Sequence, residues 1–296
     1  MNVAVAERSH PTRPPIRQRF EPRTRRRFAN WSVNLVLSAV VFAWLAPMAW
    51  MFTAAFNPTA QLSFDVPIPP SLDNFASVAT VDQLFRPLMN STIISVLASL
   101  ITVVTACLCA YPLSRYTLRF GRLFMYLILI GSGLPIIALM IPTYRLFARY
   151  QLTDSYWSTS LFLAATSLPF AIWLAKNFID GVPLELEEAA RIDGATQWQT
   201  ITRIVMPLIK PGITVIFIFS FIANWGNFFV PFILFSDPAK QTASVAIYNY
   251  FNSLGGIYFG RVAAFALLYS APAVIMFTII SRSLGRSLSF AGGVKG

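Results

Sequence analysis

Residues 188–196 read Glu-Ala-Ala-Arg-Ile-Asp-Gly-Ala-Thr, and this polar stretch lies between two strongly apolar parts of the chain. The residues before it predict a short helix, because Pro183 suits a first helical turn and three glutamates between positions 185 and 188 place negative charge near the helix N-terminus. Gly194 can adopt the left-handed conformation that ends a helix. The stretch therefore predicts a helix followed by a tight turn.

A second short helix is predicted to begin at once. Thr196 and Gln199 have the spacing of a capping box, and apolar residues then continue at helical intervals as far as Pro207. The turn carries four small residues, which are Ala189, Ala190, Gly194 and Ala195. Small side chains allow a backbone to approach another protein closely, so we expect a helix-turn-helix element on the membrane surface that contacts a partner.

This element, together with Ile204 and the Met206-Pro207 pair, resembles the EAA loop of the permease subunits of bacterial ABC importers. That loop reads Glu-Ala-Ala, three residues, Gly, nine residues, Ile, one residue and Leu-Pro, and this chain departs from it only in having Met206 for Leu. The resemblance implies that residues 183–207, the EAA segment, dock on a separate ATPase subunit. The coupling residues it implies are Glu185, Glu188, Ala189, Ala190, Asp193, Gly194, Ala195 and Pro207. From the residues alone, a solvated amphipathic connector remains the alternative.

Composition independently indicates a membrane protein. Hydrophobic residues make up 56% of the 296 residues and charged residues 12%, which is too little charge to cover a soluble globule. Segments long enough to cross a bilayer as helices lie at residues 31–56, 90–111, 123–144, 157–178, 211–235 and 262–281. We therefore expect an all-α integral membrane protein with six transmembrane helices, and the resemblance implies the type I ABC importer permease fold.

Basic residues predict the orientation of these spans. Most Lys and Arg residues fall in the N-terminal arm, in the second and fourth connections and after the last span, so both termini are expected in the cytoplasm. The net charge of +11 could suggest a nucleic-acid partner, but its distribution is explained by membrane topology and by contact with anionic membrane lipid. Nucleic acid is therefore not expected as a partner.

The same features divide the chain into four regions. Residues 1–30 form a basic arm predicted to be disordered, and residues 31–84 hold the first span and the longest extracytoplasmic loop. Residues 85–286 form the permease core, which contains the EAA segment. Residues 287–296 form a glycine-rich cytoplasmic tail.

Signals for covalent chemistry are missing from the sequence. No lysine precedes Ser or Thr, so there is no Walker A loop, and the energy must come from another polypeptide. His10 is the only histidine, which excludes histidine-based triads and disfavours a metal site. Cys107 and Cys109 face different sides of one helix and cannot bridge each other. We expect a transport subunit, not an enzyme, that binds neither metal nor cofactor itself.

Uncharged polar residues within the spans are the candidates for a substrate path. Asn224 and Asn227 share a helical face on either side of Trp225, and amides beside an aromatic ring suit a sugar with hydroxyl edges and apolar faces. Equally, the two amides could bond to a neighbouring helix as structural contacts. Weaker candidates are Ser132, Thr166 and Ser167. Because no ionisable side chain lies in the middle of a span, a proton-coupled carrier is disfavoured.

The final residues, Gly292, Gly293, Val294, Lys295 and Gly296, resemble the ending of one permease subunit in maltose-type carbohydrate importers. The resemblance implies a tail that contacts the ATPases and a di- or oligosaccharide or glycerol-phosphate-like solute. It also implies four kinds of partner: a second permease, two ATPase subunits that bind ATP and Mg²⁺, an extracytoplasmic solute-binding protein and the sugar-like substrate.

The expected location is the bacterial inner membrane, which the chain crosses several times. The alternative function is an ATP-independent channel or secondary carrier for a small polar solute.

Overall fold

The computed structural model describes residues 23–63, 65, 67, 69–251 and 257–292, and all regular structure in these ranges is helical. The predicted all-α fold class is thereby confirmed. Most of the basic arm and the last four residues of the tail, Gly293 to Gly296, lie outside the described residues. Gly292 is the final residue of the last helix, so the predicted tail is helical over its first part.

The chain divides into two compact units, one of residues 1–49 and one of residues 50–296. The described part of the first unit is a single helix that begins at Arg23. This start lies within the region predicted to be disordered. Arginine is a good helix former, so the basic residues before the apolar span extend its helix toward the N-terminus.

Helices of very different lengths follow one another along the chain. They are α1 Arg23–Ala55, α2 Asp73–Val78, α3 Arg86–Arg115, α4 Gly121–Ser132, α5 Ile136–Arg149, α6 Tyr156–Asp180, α7 Leu184–Ile192, α8 Gln197–Thr200, α9 Met206–Leu208, α10 Lys210–Trp225, α11 Phe229–Leu234, α12 Ala243–Phe251 and α13 Phe259–Gly292. Single π-helical turns at Val81–Phe85 and Ile201–Val205 lead into α3 and α9, and a 3₁₀ turn spans Pro238–Lys240.

Among the described residues, four helical segments are long and apolar enough to cross a membrane: Val33–Ala55, Val81–Arg115, which joins the first π-helical turn to α3, Tyr156–Asp180 and Phe259–Ile279. The number rises to six if each of two bent pairs counts as one span. The first pair is α4 and α5, bent by 92°, and the second joins Gln197–Leu208 to α10 at 72°.

The third predicted span, residues 123–144, is therefore not one straight helix. Gly133 ends α4, and Pro135 precedes α5 with an extended backbone. Proline disfavours a helical conformation in the residue before it, which explains the break at this point. The fifth predicted span, residues 211–235, is likewise interrupted, because α10 ends at Trp225 and α11 begins only at Phe229.

Small residues let the central helices α3, α6 and α10 pack closely. Ala106 and Ala110 of α3 and Ala171 and Ala175 of α6 are buried in a common apolar cluster. On α10, a Cβ atom added at Gly212 would lie 2.3 Å from the Phe178 ring, so only glycine fits against α6 there. Close backbone approach of this kind is typical of helix packing in membranes. Val205 of the EAA segment belongs to the same apolar cluster, so this segment packs against α3 and α6.

Candidate functional site

The EAA segment has the helix-turn-helix geometry expected from its sequence. Helix α7 starts after Pro183, and Gly194 adopts a left-handed conformation with φ of +85°. The backbone N–H of Thr196 donates to Gln199 Oε1 at 2.8 Å, and the N–H of Gln199 donates to Thr196 Oγ1 at 3.3 Å. The predicted capping box is thus present at the start of α8. The two helices are fixed by interactions local to the turn.

Most of the expected coupling residues are exposed, on α7, on the turn that follows it and, for Pro207, on α9. Those exposed are Glu185, Glu188, Ala189, Asp193, Gly194 and Pro207, whereas Ala190 is buried and Ala195 is half-buried. Two large apolar side chains flank the turn and were not singled out from the sequence: Ile192 is 86% exposed and Trp198 is 66% exposed. Exposed apolar side chains beside carboxylates form a surface suited to binding another protein.

Glu187, by contrast, is fully buried on the inner side of α7. Its Oε1 lies 2.6 Å from Arg115 Nε, and its Oε2 accepts a hydrogen bond from the Tyr111 hydroxyl at 2.7 Å. Gln197 of α8 donates to the same Tyr111 oxygen at 2.6 Å, and Arg115 also donates to the Val182 carbonyl at 2.9 Å. Both short helices of the EAA segment are therefore tied to the end of α3.

Sequence reasoning assigned Glu187 only a favourable charge near a helix N-terminus and missed this network. A weak signal was present, because Tyr111 and Arg115 are four residues apart and so share one face of α3. A buried carboxylate needs a paired charge and hydrogen bonds, since losing one partner of a buried pair costs about 3–5 kcal/mol. The network therefore fixes the position of α7 against α3.

A cavity of about 320 Å³ lies between α6 and α10. It is lined by Thr166, Ser167, Phe170, Phe219, Ser220, Ala223, Asn224 and Asn227. Four of the six candidate path residues thus share one cavity, although their sequence positions are far apart. The Asn224 side-chain nitrogen is buried and has no hydrogen-bond partner among the described residues. An unpartnered buried donor at a cavity wall can bind a ligand that carries an acceptor oxygen.

The other polar groups of this cavity are partly engaged by the protein. Asn227 Oδ1 accepts a hydrogen bond from the Val230 backbone N–H in the first turn of α11 at 3.0 Å, which leaves its NH₂ group for the cavity. The hydroxyls of Thr166 and Ser167 both donate to the Leu163 carbonyl, at 2.8 and 3.0 Å. Their oxygens can still accept hydrogen bonds from a ligand.

The two remaining candidates lie elsewhere. Trp225 is buried against Tyr269, with ring centroids 5.4 Å apart, and its indole nitrogen donates to the Tyr269 carbonyl at 3.2 Å. The Tyr269 hydroxyl donates in return to the Trp225 carbonyl at 2.7 Å. Ser132 donates to the Leu129 carbonyl at the exposed end of α4. In this conformation, neither residue lines the cavity between α6 and α10.

Within the described residues, no group of three or more His, Cys, Asp or Glu side chains could hold a metal ion. Cys107 is buried and Cys109 is half-buried, and both are free thiols. The described residues thus form a polar cavity between membrane helices and a buried ion pair beneath an exposed helical turn.

Comparison with known proteins identifies this arrangement. Residues 102–289 match the family model of the binding-protein-dependent transport system inner membrane component, which is more than half of the chain. The chain belongs to this family. It is a multi-pass membrane permease subunit of a bacterial ABC importer, a transport protein and not a catalyst, and the ATPase of such a system is a separate subunit. The alternative of a channel or carrier that works without ATP is therefore not supported.

Relatives match the permease over most of its length. The trehalose transport system permease protein SugB of Mycobacterium tuberculosis is 30% identical over 92% of this chain and 99% of its own length. The glucose import system permease protein GlcU of Saccharolobus solfataricus is 31% identical, with coverage of 88% and 94%. The putative ABC transporter permease protein ORF1 of Streptomyces antibioticus is 30% identical over 78% of this chain and all of its own.

Solved structures show the same fold. A chain in the crystal structure of a bacterial ABC transporter involved in the import of the acidic polysaccharide alginate superposes with a TM-score of 0.76. The match covers 89% of the permease and 98% of that chain, at 20% sequence identity. At this identity the likeness establishes the architecture, which is that of an ABC importer permease.

Proposed function

We propose that the permease carries a neutral sugar, and that the sugar passes the cavity between α6 and α10. The observation that carries this proposal is Asn224, which lines that cavity and whose buried amide nitrogen has no described hydrogen-bond partner. A sugar hydroxyl is an acceptor of the right kind, and it can also donate to the hydroxyl oxygens of Thr166 and Ser167.

Aromatic side chains complete this cavity. Phe170 and Phe219 line it with their ring centroids 6.1 Å apart, in an edge-on arrangement. The rings offer apolar surface to the C–H faces of a sugar, while the amides and hydroxyls offer hydrogen bonds to its edges. The relatives, which include a trehalose transport permease and a glucose import permease, support the same class of substrate.

The charge of the cavity favours a neutral solute over an acidic one. None of its lining residues carries a formal charge. An anionic sugar would lose hydration in this cavity without meeting a counter-charge, which is costly. We therefore favour a neutral mono-, di- or oligosaccharide over the glycerol-phosphate-like solutes that the sequence also allows.

The complete transporter is proposed to contain a second, homologous permease, two ATPase subunits that bind ATP and Mg²⁺, and an extracytoplasmic sugar-binding protein. The EAA segment is the docking element for one ATPase, with Ile192 and Trp198 as apolar contacts beside the exposed carboxylates. Residues 292–296 are proposed to reach the ATPases as well. ATP binding draws the ATPases together and moves the EAA segment, and the spanning helices then expose the sugar path to the outside.

Transport by the complete complex tests this proposal. The complex is reconstituted in vesicles with its binding protein and with ATP on the side of the ATPases. Uptake is then measured for labelled neutral disaccharides and for labelled oligosaccharides of uronic acids. We expect ATP-dependent uptake of at least one neutral sugar and little uptake of the acidic ones. Uptake restricted to acidic sugars would refute the proposed chemistry of the cavity.

A further inference from the structure

A second and larger cavity, of about 620 Å³, lies between the end of α3, the start of α4 and the last turns of α6. It is separate from the amide-lined cavity, and no residue is common to the two linings. Two basic side chains line it, Arg122 and Lys176, and none of its described lining residues is acidic.

The cavity has a charged end and an apolar end. On α4, Arg122 is followed at helical spacing by Met125 and Leu129, which also line the cavity. Seven residues of helix separate Arg122 from Leu129, a distance of about 10 Å along the axis. The cation thus lies near the connection between α3 and α4, and the apolar side chains lie farther along the span.

Helix α6 lines the same cavity and also has a cation at one end of it and apolar side chains at the other. Lys176 lies near the C-terminus of α6, and Trp173 and Pro169 line the cavity progressively deeper. Both helices therefore place their cation at one end of the cavity and their apolar side chains at the other. Tyr116 and Trp173 are of the residue types that concentrate at the membrane–water boundary.

The two cations differ in how far they are already paired. Lys176 Nζ lies 2.6 Å from Asp180 Oδ2, and this carboxylate also accepts a hydrogen bond from Ser114 at 2.6 Å. Among the described ion pairs, none involves Arg122. The charged end of the cavity therefore retains net positive charge, chiefly on Arg122.

We propose that this cavity binds an anionic phospholipid, with its phosphate at Arg122 and Lys176 and an acyl chain along Met125, Leu129 and Trp173. A lipid carries negative charge at one end and hydrocarbon at the other, which matches the gradient that both helices show. Basic pockets between membrane helices on the cytoplasmic side are suited to anionic headgroups. The cytoplasmic position rests on the orientation expected from the basic residues. The binding itself does not depend on the transported solute.

Lipid retention by the intact transporter complex tests this site. The complex is purified into mixed micelles of equal phosphatidylglycerol and phosphatidylcholine, and the bound lipids are counted by native mass spectrometry. We expect selective retention of phosphatidylglycerol, and a loss of about tenfold in the double variant Arg122→Gln, Lys176→Gln, since each near-surface cation contributes about fivefold and Asp180 offsets part of one. Arg122→Gln alone breaks no described ion pair and is expected to show several-fold loss.

A matched control lies three residues before Arg122. The Arg119 guanidinium lies 5.6 Å from the centre of the Phe120 ring and does not line the cavity, so Arg119→Gln should retain phosphatidylglycerol fully. Equal retention by the double variant and by Arg119→Gln would overturn the proposal.

A variant that fills the apolar end of the cavity distinguishes binding of a lipid from binding of a free anion. Leu129→Trp leaves both cations in place, and we expect it to lower phosphatidylglycerol retention. If instead inorganic phosphate displaces the lipid and Leu129→Trp has no effect, the cavity binds only an anion and the proposal fails. Quantitative cross-linking of Met125→Cys to the second permease would show that a protein helix fills the cavity, which also overturns it.

Discussion

Glu187 Oε1 lies 2.6 Å from Arg115 Nε, and this buried contact joins the first helix of the EAA segment to the end of α3. The two residues are far apart in sequence, yet Glu187 is fully buried, and Tyr111 adds a second bond to the carboxylate. A force applied to α7 therefore acts on α3 through an ion pair that water does not screen.

Breaking this ion pair should destabilise the permease strongly. Arg115→Ala removes the closer counter-charge of the buried Glu187 carboxylate and leaves Arg191, whose guanidinium lies 3.9 Å from Glu187 Oε2, so the free energy of unfolding is expected to fall by about 3 kcal/mol. The measurement is thermal unfolding of the purified complex, followed by fluorescence-detected size exclusion. Asp82→Ala serves as the control, because its pair with Arg86 is exposed and should contribute less than about 1 kcal/mol. Equal effects of the two variants would contradict the structural role of Glu187.

Replacing Asn224 should separate transport from stability. Asn224→Leu removes a buried amide nitrogen that has no described partner, so uptake should fall at least tenfold while thermal stability is unchanged or higher. Asn227→Leu should instead lower the free energy of unfolding by about 0.5–1.5 kcal/mol, because it removes the side-chain hydrogen bond to the Val230 N–H in the first turn of α11. Thr214→Val is the control on the same helix, since its hydroxyl bonds only to the Lys210 carbonyl. Loss of stability in Asn224→Leu with normal uptake would favour the structural alternative.

Changes at the turn of the EAA segment should impair ATPase binding without preventing membrane insertion. Gly194 has φ of +85°, and a β-branched residue resists this conformation, so Gly194→Val should distort the turn. Glu188→Lys should also impair ATPase binding, because it reverses an exposed charge on the surface proposed to dock on the ATPase. Each variant should reach the membrane at near-normal level, retain little ATPase on purification and show no uptake.

Gly194→Asn provides a graded control for this prediction. A Cβ atom at Gly194 would meet no atom within 4 Å, and asparagine tolerates the left-handed conformation. We therefore expect Gly194→Asn to retain more ATPase than Gly194→Val. Full uptake by Gly194→Val or Glu188→Lys, with the ATPase still bound, would show that the EAA segment is only a connector.

Reporter fusions check the orientation of the chain. Fusions at Arg119, Asp193 and Gly296 should report the cytoplasm, and fusions at Asp73, Asp154 and Asp237 should report the outside. This pattern follows from the distribution of Lys and Arg between the connections. A cytoplasmic signal at Asp73 would exclude the six-span arrangement with both termini inside.

Local geometry was the part of this molecule that the sequence could predict. The capping box of Thr196 and Gln199 and the left-handed Gly194 depend only on neighbouring residues, and both are present. The shared face of Asn224 and Asn227 likewise follows from helical periodicity, and both residues line one cavity. Their part in transport stays a prediction.

Contacts between distant parts of the chain could not be predicted. The burial of Glu187 depends on Tyr111 and Arg115, which a different helix places beside it. Trp225 is drawn away from the amide-lined cavity by Tyr269, which lies 44 residues further on. Helical periodicity assigns a residue to a face, but the helix that packs against that face is set by the whole fold.

The contact between Gly212 and Phe178 limits how the membrane helices can move. Because the α10 backbone lies directly against the Phe178 ring, sliding α10 along α6 would drive that ring into neighbouring atoms. We therefore expect the two helices to keep their relative position during a transport cycle. The amide-lined cavity between them would then keep its shape, and the interruption between α10 and α11 at residues 226–228 is where we expect the backbone to change during transport.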